Sequence, residues 1–95
     1  MPIVYKIVYP NGKIYVGKDM TDSINYFGSA DHAFVAGDFT AEERRNFSVT
    51  REVLWEVERA TVQEVNSVEL HYIRLHNSND PAIGYNRWPK FKNPN

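Results

Sequence analysis

The fold is decided early in the chain, where residues 3–17 read IVYKIVYPNGKIYVG. β-Branched and aromatic residues fill positions 3–9 and 13–17, and the sequence Tyr-Pro-Asn-Gly separates them. Proline presets the second position of a turn, while asparagine and glycine tolerate a positive φ. The stretch therefore predicts two antiparallel strands joined by a tight turn.

A third strand is predicted over residues 47–57, where residue types alternate along the chain. Odd-numbered positions place mainly apolar side chains on one face, and even-numbered positions place mainly polar side chains on the other. Arg51 is the exception, because it is a charged residue on the apolar face.

Two helices are predicted from capping boxes, in which a threonine is followed three positions later by a glutamate. The first box begins at Thr40 and predicts a helical turn through Arg45. The second begins at Thr61 and predicts a helix that runs to about His76. The pattern of residues 19–46 is otherwise weaker and predicts one short helix and loops.

Length and composition fit one α+β domain over residues 1–95, with a small three-stranded antiparallel sheet flanked by helices. The 95 residues are 42% apolar and 14% aromatic, which is enough to fill one core. The chain has no cysteine, which excludes thiolate metal sites and leaves hard cations as the natural metals. No apolar run is long enough to cross a bilayer and no leader is recognisable, so we expect a soluble cytoplasmic protein.

The formal net charge of −1 gives the chain no long-range basic field toward nucleic acid. A local basic face remains compatible with the sequence, because the cations are unevenly distributed. They fall on the first hairpin, in the middle of the chain and in the tail: Lys6, Lys13 and Lys18; Arg44, Arg45 and Arg51; Arg87, Lys90 and Lys92.

Two charged residues interrupt apolar stripes. At helical spacing Glu69 lies among valine, tyrosine and isoleucine side chains, and Arg51 lies between two valines of the third strand. A buried carboxylate needs a cation, a metal ion or the rim of a cleft. An ion pair between Glu69 and Arg51 is the simplest structural explanation, and an arginine whose head group reaches solvent is another. The functional alternative is that both groups converge on one phosphate.

The hairpin tyrosines, which include Tyr5 and Tyr15, have a structural and a functional interpretation. Tyrosines in hairpins usually pack across strands. Their hydroxyls are nevertheless the groups, besides carboxylates and histidines, that could take a proton in a cleft. The histidines predict no metal site, because His71 and His76 do not share a helical face and His32 is distant in sequence.

Taken in order, these residues resemble the GIY-YIG nuclease family. Ile3-Val4-Tyr5 and Tyr15-Val16-Gly17 are separated by nine residues and stand for the two halves of the family's name. Glu69 matches the metal-binding glutamate that the family carries on a late helix. Gly84-Tyr85-Asn86 matches the family's late asparagine, so the likeness covers about residues 3–88.

The sequence departs from the family pattern in two places. Ile3 replaces the family's first glycine, a change that an ordinary strand tolerates. The arginine usually found on the first helix is missing, because residues 25–27 read Asn-Tyr-Phe. We expect Arg51 to take the role of this arginine, in preference to Arg44 or Arg45.

The resemblance implies a metal-dependent endonuclease that hydrolyses phosphodiester bonds of nucleic acid, DNA rather than RNA. Glu69 would bind one Mg²⁺ or Mn²⁺ ion. One of Tyr5 and Tyr15 would activate the attacking water and the other would orient it. Arg51 would neutralise charge that develops in the transition state.

Contacts to nucleic acid are expected from cations and from the late asparagine: Lys6, Lys18, Arg44, Arg45, Asn86, Arg87 and Lys90. The tail, residues 87–95, alternates cations with aromatic residues, which fits stacking and backbone contact with a single strand. In the alternative, Trp88 packs and leaves the lysines in solvent.

We expect weak or structure-directed recognition, a homodimer or a separate targeting protein, because the nuclease fold uses the whole chain. Two hypotheses compete with the nuclease. One is a catalytically inactive module of the same fold that binds nucleic acid or protein. The other is a purely structural α+β protein in which Glu69 and Arg51 close on each other.

Overall fold

The computed structural model describes residues 1–21 and 35–92. Their elements, in chain order, are strand β1 (Ile3–Val8), strand β2 (Ile14–Asp19), helix α1 (Ala41–Arg45), strand β3 (Thr50–Glu56) and helix α2 (Val62–His76). The strands form one antiparallel sheet in the order β2-β1-β3, which confirms the predicted α+β fold. The short helix expected within residues 19–46 falls largely on residues 22–34, outside the described residues, as do residues 93–95 of the tail.

The first hairpin forms as predicted, because its turn residues match the geometry that the turn requires. The Tyr9 N–H donates to the Lys13 carbonyl at 2.9 Å, and the Gly12 N–H donates to the Tyr9 carbonyl at 2.9 Å. Gly12 has a φ of 84°, which few other residues adopt. This turn sets the register of β1 against β2 over their whole length.

The two faces of the sheet differ, because successive side chains of a strand project to opposite sides. The face that we call the helix face packs on α2 through buried aliphatic residues: Val4, Val16, Val65 and Ile73. The opposite face, which we call the tyrosine face, buries the odd-numbered side chains of β1: Ile3, Tyr5 and Ile7.

Strand β3 departs from the predicted alternation at a β-bulge. Leu54 has no counterpart in β1, so the residues before and after it project to different sides. Val53 and Arg51 lie on the tyrosine face, whereas Trp55 packs against the core of the helix face. The prediction of one common face for the odd-numbered residues of 47–57 is therefore wrong. An extra residue in a strand reverses the alternation beyond it.

Both predicted capping boxes form, and they fix where the helices begin. In each box the threonine hydroxyl accepts an N–H three residues later at 3.1 Å, and the glutamate at that position accepts the threonine N–H. Helix α1 thus begins after Thr40, and α2 begins after Thr61. Helix α2 ends at His76, because Asn77 adopts the left-handed conformation with a φ of 54°. Neither of these helices, nor any other within the described ranges, is long and apolar enough to cross a membrane.

The segment after α2 returns to the outer edge of β2 and pairs with it. The Ile14 N–H donates to the Ile83 carbonyl at 3.2 Å, and the Tyr85 N–H donates to the Ile14 carbonyl at 2.8 Å. The side-chain amide of Asn86 donates to the Val16 carbonyl and accepts the Val16 N–H, both at 2.8 Å. These bonds satisfy backbone groups that an edge strand otherwise leaves open.

This return of the chain requires a glycine at position 84. A Cβ on Gly84 would lie 2.4 Å from the carbonyl oxygen of Ser78 and 2.5 Å from that of Ile14. Both oxygens belong to the backbone, so neither can move aside as a flexible side chain would. Gly84 therefore lets the turn after α2 and strand β2 approach each other closely.

Candidate active site

The tyrosine face brings Tyr5 and Tyr15 together over Gly17. Strand pairing places Tyr5 directly opposite Gly17. A Cβ on Gly17 would lie 2.4 Å from the hydroxyl oxygen of Tyr5 and 3.0 Å from Cε2 of Tyr15. The two rings can meet at this point because glycine has no side chain. The spacing of the segments 3–5 and 15–17 thus brings the two phenol rings together above Gly17.

The two tyrosines differ in their access to solvent. Tyr5 is fully buried, with 0% of its surface exposed, whereas Tyr15 is only partly buried. Tyr15 and Tyr9 pack against the same buried residues of this face, and burial, followed by the charge effect of Tyr15, raises the pKa of Tyr9. A substrate or a water molecule can therefore reach Tyr15 more readily than Tyr5.

Arg51 belongs to the same group of side chains. Its guanidinium carbon lies 5.3 Å from the centre of the Tyr5 ring, in the arrangement of a cation–π contact. Arg51 pairs with Ile7 across β1 and β3, which places it on the tyrosine face. Tyr5, Tyr15 and Arg51, which we call the tyrosine cluster, are thus close together.

Glu69 lies elsewhere, on the helix that covers the opposite face of the sheet. Its side chain is half-buried, and burial raises the pKa of the Glu69 carboxyl above its usual 4.5, with Lys18 partly offsetting the effect. Lys18 pairs with Val4 and therefore lies on the helix face, where it also donates to the side chain of Asn66. The cation that acts on Glu69 is thus Lys18.

The sequence suggested an ion pair between Glu69 and Arg51 as a structural explanation, and this prediction is wrong. Arg51 lies on the tyrosine face and Glu69 lies on α2, which covers the helix face. For the same reason, the predicted catalytic residues do not all share one face. Gly17, which lies beneath the Tyr5 hydroxyl, is followed in β2 by Lys18, which acts on Glu69, so the two groups flank consecutive residues of this strand from opposite faces of the sheet.

The metal ion implied by the family resemblance can be tested against the donors of this site. Across residues 1–21 and 35–92, no three Asp, Glu or His side chains come together as a metal-binding group. A single carboxylate still suits Mg²⁺, which usually keeps several waters and takes phosphate oxygens as further ligands. The raised pKa of Glu69 shows that Lys18 offsets only part of the cost of burying the carboxylate charge. A half-buried carboxylate of this kind fits a divalent cation.

A second polar group, which sequence reasoning missed, joins the tail to the hairpin. The Tyr85 hydroxyl donates to Asp38 Oδ2 at 2.7 Å and accepts the Asn11 amide at 2.9 Å. Lys13 Nζ lies 3.0 Å from the same Asp38 oxygen. Burial is the main cause that raises the pKa of Tyr85 to about 12, so its hydroxyl stays protonated at neutral pH. We interpret this group as structural, and no sequence signal links residues so far apart.

Four of the predicted nucleic-acid contacts lie on the hairpin and on α1. Lys6 Nζ lies 3.3 Å from a carboxylate oxygen of Glu52 on β3, and Lys18 lies beside Glu69. Arg44 donates to the carbonyl of Ala36, and Arg45 is exposed, as is the rest of α1. Their contact with nucleic acid stays a prediction.

The remaining predicted contacts lie after α2. Asn86 uses both ends of its amide to bind the backbone of Val16, which gives it a structural role. Arg87 and Lys90 are exposed and line a groove of about 300 Å³. Trp88 does not pack, since 73% of its surface is exposed, so that alternative for the tail is wrong.

Comparison of the chain with protein-family models, with curated proteins and with solved structures finds no match in any of the three.

Proposed function

We propose that this chain is a metal-dependent endonuclease of the GIY-YIG type, which hydrolyses phosphodiester bonds of nucleic acid, DNA rather than RNA. The observation that carries the proposal is the convergence of Tyr5 and Tyr15 over Gly17, with Arg51 above the Tyr5 ring. Packing alone needs no glycine beneath a buried tyrosine hydroxyl. A site that handles protons needs hydroxyls held in fixed positions.

Within this proposal the tyrosines have separate roles. Tyr15, which is partly exposed, contacts the attacking water and takes its proton. Tyr5, which is buried beneath Arg51, orients Tyr15 and transmits the effect of the cation. An ordinary phenol has a pKa of about 10, so a nearby positive charge is needed for either hydroxyl to act as a base near neutral pH.

Glu69 is the residue that would hold Mg²⁺ or Mn²⁺. When bound, the ion supplies Lewis-acid chemistry at the scissile phosphate. The phosphate would lie at the end of β2, because the consecutive residues Gly17 and Lys18 there adjoin the tyrosine cluster and Glu69 respectively. Lys18 would then attract the phosphate, and Arg51 would neutralise charge on the tyrosine side.

The test is cleavage of plasmid, linear duplex, branched and single-stranded substrates at low salt, with Mg²⁺ or Mn²⁺ and with EDTA. We expect Glu69→Gln to lower the rate by about 100-fold or more, the size of loss seen when a preorganised charge-stabilising group is removed. Glu58→Gln is the matched control, because it makes the same charge change at an exposed loop position. Circular dichroism checks that both variants fold.

Each outcome bears on a different part of the proposal. Cutting by the wild type and by Glu58→Gln, but not by Glu69→Gln, supports the nuclease and its metal residue. Full activity of a folded Glu69→Gln variant would remove Glu69 from the mechanism. No cutting of any substrate by the wild type would instead favour the second candidate.

That second candidate is a binding module that has the fold but not the chemistry. Two observations favour it: Tyr5 has no exposed surface, and Glu69 lies on the helix that covers the other face. This protein would bind nucleic acid equally well in EDTA and in Mg²⁺ and would release it uncut. Binding and cleavage assays on the same substrates separate the two functions.

A further inference from the structure

The residues after α2 form an exposed surface that the proposed active site does not use. A groove of about 520 Å³ runs between the end of α2 and the tail, with lining residues Arg74, Asn79, Trp88, Pro89, Lys90 and Lys92. A second groove, of about 300 Å³, adjoins it, shares Asn79 and Lys90, and adds Arg87 and Phe91. We call the two together the tail groove.

The charge of the tail groove differs from that of the chain as a whole. Four cations line it: Arg74, Arg87, Lys90 and Lys92. Its lining within the described residues includes no aspartate or glutamate. The chain has a formal net charge of −1, so this grouping is a local excess of positive charge. Such a surface attracts a polyanion at short range, where salt does not fully screen it.

The tail groove also presents aromatic surface to solvent. Trp88 is 73% exposed and Phe91 is 39% exposed. The segment that carries them is anchored, because the Asn79 side chain donates to the Pro89 carbonyl at 2.7 Å. An indole held on an anchored segment loses little conformational freedom when it binds a flat ligand.

We propose that the tail groove binds single-stranded nucleic acid, with a base stacked on Trp88 and the adjacent phosphates bound by the four cations. Cations alone suit any nucleic acid, but stacking on an exposed indole requires a base that is not already stacked within a duplex. The inference rests on the proposed function and deepens it, because it specifies single-stranded segments as the form of substrate that the protein holds.

The experiment measures binding without cleavage, in EDTA, using the full chain. The probe is a fluorescein-labelled oligothymidylate of about 12 nucleotides, a length within the usual site size for single-strand binding. Fluorescence anisotropy gives the dissociation constant, and the same sequence as a blunt duplex is measured in parallel. We expect the single strand to bind more tightly than the duplex.

Variants then assign the binding to the tail groove. Trp88→Ala should weaken single-strand binding by about 5- to 160-fold, and Trp88→Phe should retain most of it. Lys90→Gln should reduce the dependence of log K on log salt by about 0.7, the contribution of one phosphate contact on a single strand. Val62→Ala is the control, because it shortens an exposed apolar side chain at the start of α2, outside the lining of the groove.

Unchanged binding by Trp88→Ala, or equal binding of duplex and single strand, would overturn the proposal. Displacement of the oligonucleotide by polyglutamate at equal charge concentration would also overturn it, in favour of an acidic protein partner. Failure of the proposed function is distinguishable, because it appears as absent cleavage in Mg²⁺ while Trp88-dependent binding in EDTA persists. Cleavage together with Trp88-independent binding would instead reject this inference alone.

Discussion

Gly17→Ala tests the steric basis of the tyrosine cluster. The alanine Cβ would lie 2.4 Å from the Tyr5 hydroxyl oxygen, about 1 Å inside the 3.4 Å at which ordinary contacts begin. Tyr5 is fully buried, so its ring can move only together with its neighbours. Overpacking of this kind costs about 1–3 kcal/mol. A catalytic group displaced by about 1 Å also costs on the order of 100-fold in rate.

Two assays measure these effects separately. Urea unfolding followed by circular dichroism should show that Gly17→Ala lowers the free energy of unfolding by about 1–3 kcal/mol. Metal-dependent cleavage of the preferred substrate should fall by about 100-fold under conditions in which the variant is folded.

A second background shows whether Tyr5 is the cause. Tyr5→Leu removes the two atoms nearest to the new Cβ, the hydroxyl oxygen and the Cζ atom at 2.6 Å, so the stability cost of Gly17→Ala should be smaller in that background. An alanine variant with wild-type stability and wild-type rate would refute the steric reasoning. A cost that is equal in both backgrounds would show that the strain arises elsewhere.

Two further predictions concern the segment that closes the domain. Gly84→Ala should lower the free energy of unfolding by about 3 kcal/mol, because its Cβ would collide with two backbone carbonyl oxygens; an unchanged thermal midpoint would contradict this. Hydrogen bonds from Tyr85 and Lys13 lower the pKa of Asp38 below its usual 3.8, so the stability that they provide is present above that pH and is lost as the pH falls through the folded value. Asp38→Asn should therefore be less stable than the wild type at about pH 6 and should lose less stability on acidification to about pH 3, as measured by urea unfolding. Parallel acid curves for the two proteins would rule out this role.

Local patterns predicted the secondary structure well, because their causes lie within a few residues. A capping box involves only a threonine and the glutamate three residues later, so Thr40 and Thr61 marked the helix starts. The Pro10–Gly12 turn likewise specified the hairpin. The bulge at Leu54 is different, because it depends on how β3 fits the twist of β1. Alternation of residue types cannot reveal an unmatched residue.

The same distinction applies to the candidate site. The spacing of Tyr5 and Tyr15 predicts that they share a face, because both belong to one hairpin whose turn fixes the register. Helical periodicity identified Glu69 as unusual but could not say which face of the sheet its helix would cover. The bond between Asp38 and Tyr85 joins residues 47 positions apart, and no local pattern predicts such a pair.

The sealed outer edge of β2 limits how copies of this protein can associate. Residues 83–86 occupy that edge, so among the described residues β3 is the strand whose outer edge has no strand beside it. A sheet with one open edge can pair edge to edge with only one other sheet, because no second open strand edge then remains in either copy. Association through strands therefore closes at two copies, and growth into a filament would require the bonds at Ile14 and Val16 to break first.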